Sequence, residues 1–144
     1  MVNPTRIDKL TGKSQHRNKE FYSDFLANFN KHPETDFLVK NINAAAVKRA
    51  IRNLLLTMKG ERPFQPNYGS GLRALLFEPM VDSTTELIKG LITEAIEQNE
   101  PRVRLLEVVV VPNEISQVYN IGIAFEIINN PEPEEVTIEL ERVR

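Results

Sequence analysis

The sequence has few of the residues from which catalytic and metal sites are commonly built. It contains no cysteine, which excludes a disulfide scaffold, a thiolate zinc site and a thiol nucleophile. Its two histidines, His16 and His32, lie in a segment without clear periodicity and indicate neither a metal site nor a catalytic triad. No apolar run approaches the ~20 residues that a membrane span requires, and the N-terminus lacks the apolar stretch of a signal peptide. We therefore expect no catalytic, metal or cofactor site and no membrane segment.

Charge is distributed unevenly along the chain, although its 144 residues carry a net charge of only −2. Residues 48–73 carry six Lys or Arg against one acid, and residues 74–100 carry six acids against one Lys. Residues 131–144 are acidic again, with five Glu against two Arg. A nucleic-acid-binding domain usually has a basic excess over its whole length, so we expect no nucleic-acid partner. Alternating blocks of charge favour complementary surfaces instead, used for protein contacts or for internal ion pairs.

The N-terminal region has no sustained hydrophobic period. We predict that residues 1–35 form an arm that is partly extended or disordered, and that residues 36–144 form one domain, a usual size for a single core. Within the first part of the chain, residues 24–29 could form a helical turn. Residues 35–40 could form a short strand.

A first amphipathic helix is predicted over residues 43–58. Its apolar side chains recur at spacings of three and four residues, ending with Met58. Asn43 is expected to cap its N-terminus, and Gly60 is expected to stop it. The opposite side of this helix carries three basic residues: Lys48, Arg49 and Arg52.

A second long helix is predicted over residues 82–99, after a short helical turn at residues 71–77. One broad apolar stripe runs along it. Ser83 and Glu86 have the spacing of a capping box, and Pro101 prevents the helix from continuing. This segment shows the clearest helical pattern in the chain.

Three strands follow the helices and lead to a fold class. Residues 103–111 are apolar on both faces, which predicts a covered, central strand. Residues 117–128 and 135–143 alternate apolar and polar side chains, and the segments between the strands are short enough for hairpins. We therefore predict an α+β domain whose helices pack on one face of a small antiparallel meander. The last strand is a candidate sheet edge, protected by outward-pointing glutamates.

Residues 60–72, "GERPFQPNYGSGL", form the most unusual loop in the sequence. The pair Gly69 and Gly71 suggests a phosphate-binding loop, but the complete glycine pattern and a Walker lysine are absent. The glycines more plausibly supply backbone conformations that other residues avoid. Two prolines stiffen the loop, and aromatic side chains offer rigid contact surface, so we interpret it as a docking element for a protein. The alternative is that some of these rings fold inward and cap the domain's own core.

A second motif, "NEPRVR" at residues 99–104, lies where the long helix passes into the first strand of the sheet. Glu100 is unfavourable at a helix C-terminus because of the helix dipole, so a cationic partner is expected. The planar fork of Arg102 suits a bidentate pair with a carboxylate. From the residues alone, two interpretations remain open: the pair only fastens the junction, or the arginine serves an interface.

Together these motifs resemble the baseplate wedge subunits of T-even-type contractile phages. This family is shared with the sheath-initiating baseplate component of type VI secretion systems and has also been labelled lysozyme-like. The resemblance covers about residues 40–143. It rests on an R-P-F-x-P-x-[FY]-G loop, an L-F-E segment at residues 76–78 and an E-P-R triplet. The matching loop residues are Arg62, Pro63, Phe64, Pro66, Tyr68 and Gly69, and the triplet is Glu100, Pro101 and Arg102.

The resemblance implies a structural role in the tail baseplate of a virion that is assembled in the bacterial cytoplasm. The implied partners are other baseplate wedge proteins and the tail sheath subunit, with the tail tube as a further candidate, and the chain would be present in several symmetric copies. An open edge of the sheet would start the sheath by adding a strand from the next chain. The expected interface residues are Glu100, Pro101, Arg102, Arg62, Phe64, Gln65, Pro66, Tyr68, Arg73, Lys48, Arg49 and Arg52.

Two alternative functions remain open at this point. The chain could belong to the baseplate of a type VI secretion system or a phage-like injection device. It could also be a cell-wall hydrolase, which would need two suitably spaced carboxylates, one of them protonated. No such pair is evident, because Glu86 is assigned to capping and Glu97 to the polar side of its helix. We therefore expect no enzymatic activity. For the structural role, we expect Arg102→Ala to leave the isolated fold largely intact yet to block attachment to the wedge or sheath initiation.

Overall fold

The computed structural model describes residues 21–25, 31 and 38–142. Along these residues the elements are β1 (Ser23–Phe25), β2 (Lys40–Ile42), α1 (Ala44–Leu56), α2 (Leu72–Leu75), α3 (Asp82–Asn99), β3 (Val103–Asn113), β4 (Val118–Ile127) and β5 (Asn130–Glu141). The predicted α+β class, with helices before an antiparallel meander, is confirmed. The predicted arm, residues 1–35, lies largely outside the described residues, so its division from a domain at residues 36–144 stays a prediction.

The three-stranded sheet has the order β3-β4-β5, with both pairs antiparallel. The alternation in β4 is followed without exception, since five residues of its inward face are buried: Tyr119, Ile121, Ile123, Phe125 and Ile127. Helix α3 packs against β3 and α1, and α1 also contacts β5. One core therefore lies between the helices and the inner face of the sheet.

The position of β3 contradicts its prediction as a covered, central strand. It is an edge strand, and β4 is central. Val108 is buried on the helix side, whereas Val109 and Val111 are 46% and 52% exposed on the other side. Two consecutive short hairpins place the middle strand in the centre of a meander whatever the composition of the outer strands. The apolar outer side of β3 consequently lies open.

Helix α3 has the bounds that its pattern predicts, but the predicted capping box is wrong. The N-cap residue is Val81, and no side chain caps the helix end. Ser83 and Glu86 both lie inside the helix. Neither therefore occupies the N-cap position, from which a side chain can bond the free N–H groups of the first turn. The buried stripe consists of Thr84, Ile88, Ile92, Ala95 and Ile96.

Helix α1 begins directly after Asn43 but ends two residues before the predicted Met58. The Asn43 side chain does not cap the helix. Its Oδ1 accepts hydrogen bonds from the backbone N–H groups of Phe21, at 2.9 Å, and Tyr22, at 3.4 Å. The helix ends at Leu56 because the chain turns extended at Thr57, and Met58 forms a parallel bridge to Ser70. Gly60 therefore belongs to the following loop and does not stop the helix.

The N-terminal part of the described chain forms a small sheet of β1 and β2. The predicted helical turn at residues 24–29 is wrong for Asp24 and Phe25, which belong to β1; the rest of that segment lies outside the described residues. The strand predicted at 35–40 is displaced, since β2 begins at Lys40 and residues 35–37 are outside the description. Leu38 forms an isolated bridge with Lys31.

Candidate protein-interaction site

The loop between α1 and α2 is closed at its base by backbone hydrogen bonds. The N–H of Ser70 donates to the carbonyl of Thr57 at 2.9 Å, and the N–H of Gly60 donates to the carbonyl of Pro66 at 2.8 Å. The buried Ser70 hydroxyl also donates to the carbonyl of Leu55 at 2.7 Å. The two Ser70 bonds attach the C-terminal end of the loop to the end of α1, and the bond from Gly60 to Pro66 closes the loop on itself. The loop is therefore held in one shape by its own backbone.

Gly69 is needed at this closure for two reasons. Its φ of 119° lies in the left-handed region, which side chains with a Cβ rarely adopt. A Cβ atom at this position would also lie 2.6 Å from the backbone carbonyl oxygen of Thr57. Gly69 thus lets two backbone segments approach each other, as its interpretation as a conformational residue predicts, whereas Gly71, with a φ of −90°, does not need a glycine conformation. No phosphate-binding role is needed to explain it.

The tip of the loop presents one aromatic side chain outward and turns another inward. Tyr68 packs against the core and carries the Arg62 guanidinium 4.0 Å above its ring. The Arg62 Nη1 also donates to Gln65 Oε1 at 3.3 Å. Phe64, in contrast, is fully exposed and has a φ of 66°, a strained conformation for a bulky residue. The loop therefore exposes an apolar side chain at a backbone position that costs free energy.

The basic residues of α1 and α2 are distributed over different environments. Lys48 is 2.7 Å from Glu134 of β5, so it already has an internal partner. Arg49 is half-buried and Arg52 is exposed. Arg73 lies beside an apolar groove of about 240 Å³ between α1, α2 and the end of β5. The charge blocks of the sequence are thus used partly for internal pairing, at least by Lys48.

The junction between α3 and β3 is a bidentate ion pair. Glu100 is only 7% exposed. The Nε and Nη2 atoms of Arg102 donate to its two carboxylate oxygens at 2.6 and 2.7 Å. The backbone reinforces this turn, because the N–H of Val103 donates to the Glu100 carbonyl and the N–H of Ile128 donates to the Arg102 carbonyl, both at 3.1 Å. Pro101 is exposed at the turn between them.

Tyr22 completes the junction from the N-terminal side. The Arg102 guanidinium lies 5.3 Å from the centre of the Tyr22 ring, within the range of a cation–π contact. The Tyr22 hydroxyl accepts a hydrogen bond from Asn129 Nδ2 at 2.7 Å, and the Tyr22 carbonyl accepts one from the N–H of Asn43 at 2.7 Å. One tyrosine thereby connects the first strand, helix α1, the E-P-R turn and the β4–β5 hairpin.

The electrostatics of the junction keep Arg102 charged. Hydrogen bonding to Glu100 raises the pKa of Arg102 above its ordinary range, and this effect outweighs the opposing effect of burial. A side chain one-third exposed also remains within reach of a partner. The geometry confirms the expected bidentate pair.

No pattern in the sequence identified Tyr22 or Asn129. Asn43 was predicted to cap α1, whereas its side chain bonds the backbone of Phe21 and Tyr22. Tyr22 and Asn129 are separated by 107 positions in the chain, and no local pattern relates them. The two predicted motifs also have different surroundings. The loop is bonded to itself and to the end of α1, whereas the junction is bonded to β1 and to the β4–β5 hairpin.

Within residues 21–25, 31 and 38–142, no group of His, Asp and Glu side chains could hold a metal ion. Glu100 is buried and both its oxygens are engaged by Arg102. Among the same residues no helix is long and apolar enough to cross a bilayer.

Solved structures with the same fold define the class of protein. The chain matches a Geobacter sulfurreducens protein described as a candidate tail lysozyme, with a TM-score of 0.63 and 26% identity, over 68% of this chain and 89% of that one. It also matches a subunit of the baseplate of the anti-feeding prophage, with a TM-score of 0.59 and 21% identity, over 85% and 87% of the two chains. A subunit of the type VI secretion baseplate complex matches with a TM-score of 0.56 and 17% identity, over 68% and 92%. The chain thus has the small α+β fold that occurs in baseplate complexes.

Two sequence comparisons identify the family itself. Residues 43–132 match the family model described as baseplate wedge protein gp25. The baseplate wedge protein gp25 of Enterobacteria phage T4 is 30% identical over 102 residues, which is 70% of this chain and 77% of that protein. The chain therefore belongs to the baseplate wedge protein gp25 family, as the resemblance of its motifs implies. Its place is in the tail baseplate, among the components of a multi-subunit assembly.

Proposed function

We propose that the chain is a non-enzymatic wedge subunit that binds other wedge proteins and initiates the tail sheath by strand addition. In this proposal the helical side of the molecule holds the subunit in the wedge. The β5 edge of the sheet receives an extended arm of a sheath subunit. Phage and phage-like machines are both compatible with this mechanism, because it uses only the fold that they share.

The observation that carries the proposal is the edge position of β5. Strand β5 is twelve residues long, Asn130–Glu141, and within the described parts of the chain it pairs only with β4. Its outer backbone groups can therefore pair with an added strand. Glu135, Glu139 and Glu141 are exposed along it, and such charges discourage random edge pairing while favouring a basic arm.

The loop at residues 60–72 supports the wedge-binding half of the proposal. A fully exposed Phe64 on a strained backbone is unfavourable in the isolated molecule. Aromatic anchors of this kind dominate the energetics of many interfaces, together with arginines. Arg62, Gln65, Pro66 and Arg73 surround or follow it. Arg49, Arg52 and the E-P-R junction are the remaining proposed contacts.

The strand-addition mechanism can be tested by reversing charge along the β5 edge. In the double variant Glu139→Lys/Glu141→Lys, both side chains are exposed, so the fold should persist. Repulsion should lengthen the lag of sheath-subunit polymerisation about tenfold, because two weak ion pairs become two like-charge contacts. The lag is measured by light scattering with purified sheath subunit, in low salt.

The matched control changes the same total charge elsewhere. Glu97→Lys/Glu114→Lys alters exposed residues on α3 and in the β3–β4 turn and should leave the lag unchanged. Hydrogen exchange adds a direct readout, because amides on the outer edge of β5 should become protected when sheath subunit is added. Equal lags for the two double variants, or protection confined to other elements, would reject strand addition at β5.

The hydrolase alternative deserves its own measurement because one structural relative carries a lysozyme description. We propose that the chain does not cleave peptidoglycan, since Glu100 is bound by Arg102 and Glu78 is exposed at the surface. Purified protein should release no soluble fragments from peptidoglycan. Activity that is lost in Glu78→Gln or Glu100→Gln while the fold is retained would overturn the non-enzymatic assignment.

A further inference from the structure

The outer face of the sheet, which is turned away from the helices, differs sharply from one side to the other. On β3 it presents Val109 and Val111, which are about half exposed. On β5 it presents Thr137 and Glu139, which are exposed and polar. An antiparallel sheet that faces only water normally alternates towards polar residues on that face. The β5 side follows this rule, and the β3 side does not.

Small residues of β4 separate the apolar and polar sides. Gly122 pairs with Val109 on one side and with Thr137 on the other. Ala124 occupies the next outward position and lies between Glu107 and Glu135. The result is an open trough of about 420 Å³ along the middle of the outer face. Its floor carries no large side chain of β4, and the Glu135 carboxylate borders it, with Oε1 3.6 Å from the position of a Cβ on Gly122.

The outer face is also strongly acidic. In the register of the strands, one cation, Arg104, lies on this face. Five carboxylates share the face with it: Glu107, Glu126, Glu135, Glu139 and Glu141. Two such faces would repel each other, and nucleic acid or an anionic membrane would be repelled as well. Charge therefore selects a basic partner.

We propose that this outer face binds an amphipathic α-helix of another subunit. The apolar stripe of that helix lies over Val109, Val111 and the Gly122–Ala124 floor, and a flank of Lys or Arg faces the carboxylates beside β5. The inference uses side chains on the face of the sheet, whereas strand addition uses backbone groups at its edge, and Glu135, Glu139 and Glu141 contribute charge to both.

The dimensions favour a helix over other occupants. A helix with its side chains is about 10–12 Å wide, and adjacent strands are about 4.8 Å apart. One helix therefore covers the width from β3 to β5. The apolar strip is about one strand wide with a trough beside it, which suits a rod with one apolar stripe. A second sheet would require an apolar surface across all three strands.

Two designed peptides test this inference on the full-length chain. Each has about 18 residues, roughly five helical turns, and the same leucine stripe; one carries lysines along the flank and the other glutamates. The lysine peptide should bind, and amide NMR shifts should concentrate at residues 107–111 and 120–124. The Val109→Thr/Val111→Thr variant should bind about tenfold more weakly, because hydroxyls replace two buried methyl contacts.

Control variants separate the trough from other exposed apolar groups. Val81→Thr/Leu87→Gln changes two half-exposed residues at the start of α3 and should leave peptide binding unchanged. Glu107→Gln/Glu135→Gln should reduce the preference for the lysine peptide over the glutamate peptide. Threonine is compatible with an exposed strand, so unfolding of the valine variant is not expected, and its NMR spectrum checks this.

Four results would overturn the proposal. The first is equal affinity for the lysine and glutamate peptides. The second is a set of shifts that maps to the groove between α1 and α2. The third is concentration-dependent dimerisation of the chain that is lost in Val109→Thr/Val111→Thr, which would assign the face to a second copy. Both peptides failing to bind at millimolar concentration would also reject a helix as the occupant.

Discussion

The loop at residues 60–72 and the junction at residues 99–103 have similar compositions. The junction side chains bond to the rest of the molecule, whereas the loop presents a side chain to solvent. Each combines proline, arginine and acid or aromatic residues near the end of a helix. At the junction, Arg102 is hydrogen-bonded to Glu100 and lies over the ring of Tyr22. In the loop, the backbone is closed inward while Phe64 is turned out. Similar residue types thus stabilise the fold at the junction and present a side chain to solvent in the loop.

The comparison shows where stability and recognition can be separated. At the junction, removing Arg102 would leave the buried Glu100 carboxylate without its cation. Folding and binding would therefore change together. At the tip of the loop, Phe64 has no buried neighbour to lose. Its removal can affect recognition without weakening the fold. The following predictions address this difference in order of decreasing effect on stability.

The largest effect is expected at the base of the loop. Gly69→Ala should lower the free energy of unfolding by about 3 kcal/mol or more, because it combines a left-handed backbone with a backbone clash. Gly60 has a φ of 87° but nothing within 4 Å of an added Cβ, so Gly60→Ala should cost only about 1 kcal/mol. Urea unfolding of both variants measures the difference. Equal losses would show that the close approach at Gly69 is not the constraint.

The next effect is expected at the junction. Arg102→Ala should cost about 2–3 kcal/mol, since it leaves the buried Glu100 carboxylate without its cation. This revises the expectation, drawn from the sequence, that the variant leaves the isolated fold largely intact. Glu100→Gln introduced into Arg102→Ala should recover about half of the loss, because a neutral amide replaces the stranded charge.

Denaturant midpoints of the two single variants and the double variant form the cycle that checks this coupling. If Arg102→Ala were as stable as the parent chain while wedge attachment failed, the main role of Arg102 would be binding and not stabilisation of the fold. The comparison with the loop would then lose its basis.

The smallest effect on stability is expected at the loop tip, with the opposite sign. Phe64→Gly should stabilise the isolated chain by about 0.5 kcal/mol, because relief of the left-handed strain slightly exceeds the entropic cost of glycine. The same variant should weaken attachment to the wedge at least tenfold if Phe64 is an interface anchor. Thermal unfolding and a pull-down with wedge proteins report the two quantities separately. Unchanged attachment would remove Phe64 from the interface.

The parts of the fold with strong local periodicity could be predicted from the sequence. Helix α3 has the predicted bounds because a long stripe and Pro101 define both its face and its end. Strand β4 has the predicted buried face because alternation over ten residues leaves one register compatible with a core. The Glu100–Arg102 pair follows from two complementary side chains held at a short turn.

Other features depend on which segments meet in space. The apolar pattern of β3 describes a strand that can be covered, and it contains no information on whether this chain covers it. Ser83 and Glu86 have a capping spacing, yet the helix begins earlier and leaves them inside it. Tyr22 reaches Arg102 and Asn129 only because β1 lies beside α1 and the β4–β5 hairpin.

By itself the sequence determined the order of elements from α1 to β5, the α+β class and the two motifs that identify a baseplate wedge protein. These are properties of local periodicity, turn residues and short spacings, which a chain carries before it folds. Only the tertiary structure decided that β3 is an edge strand, that Tyr22 contacts Arg102, and that Phe64 points outward. The reason is that exposure is a property of the whole packed molecule, since a side chain is buried only when residues distant in sequence arrive to cover it.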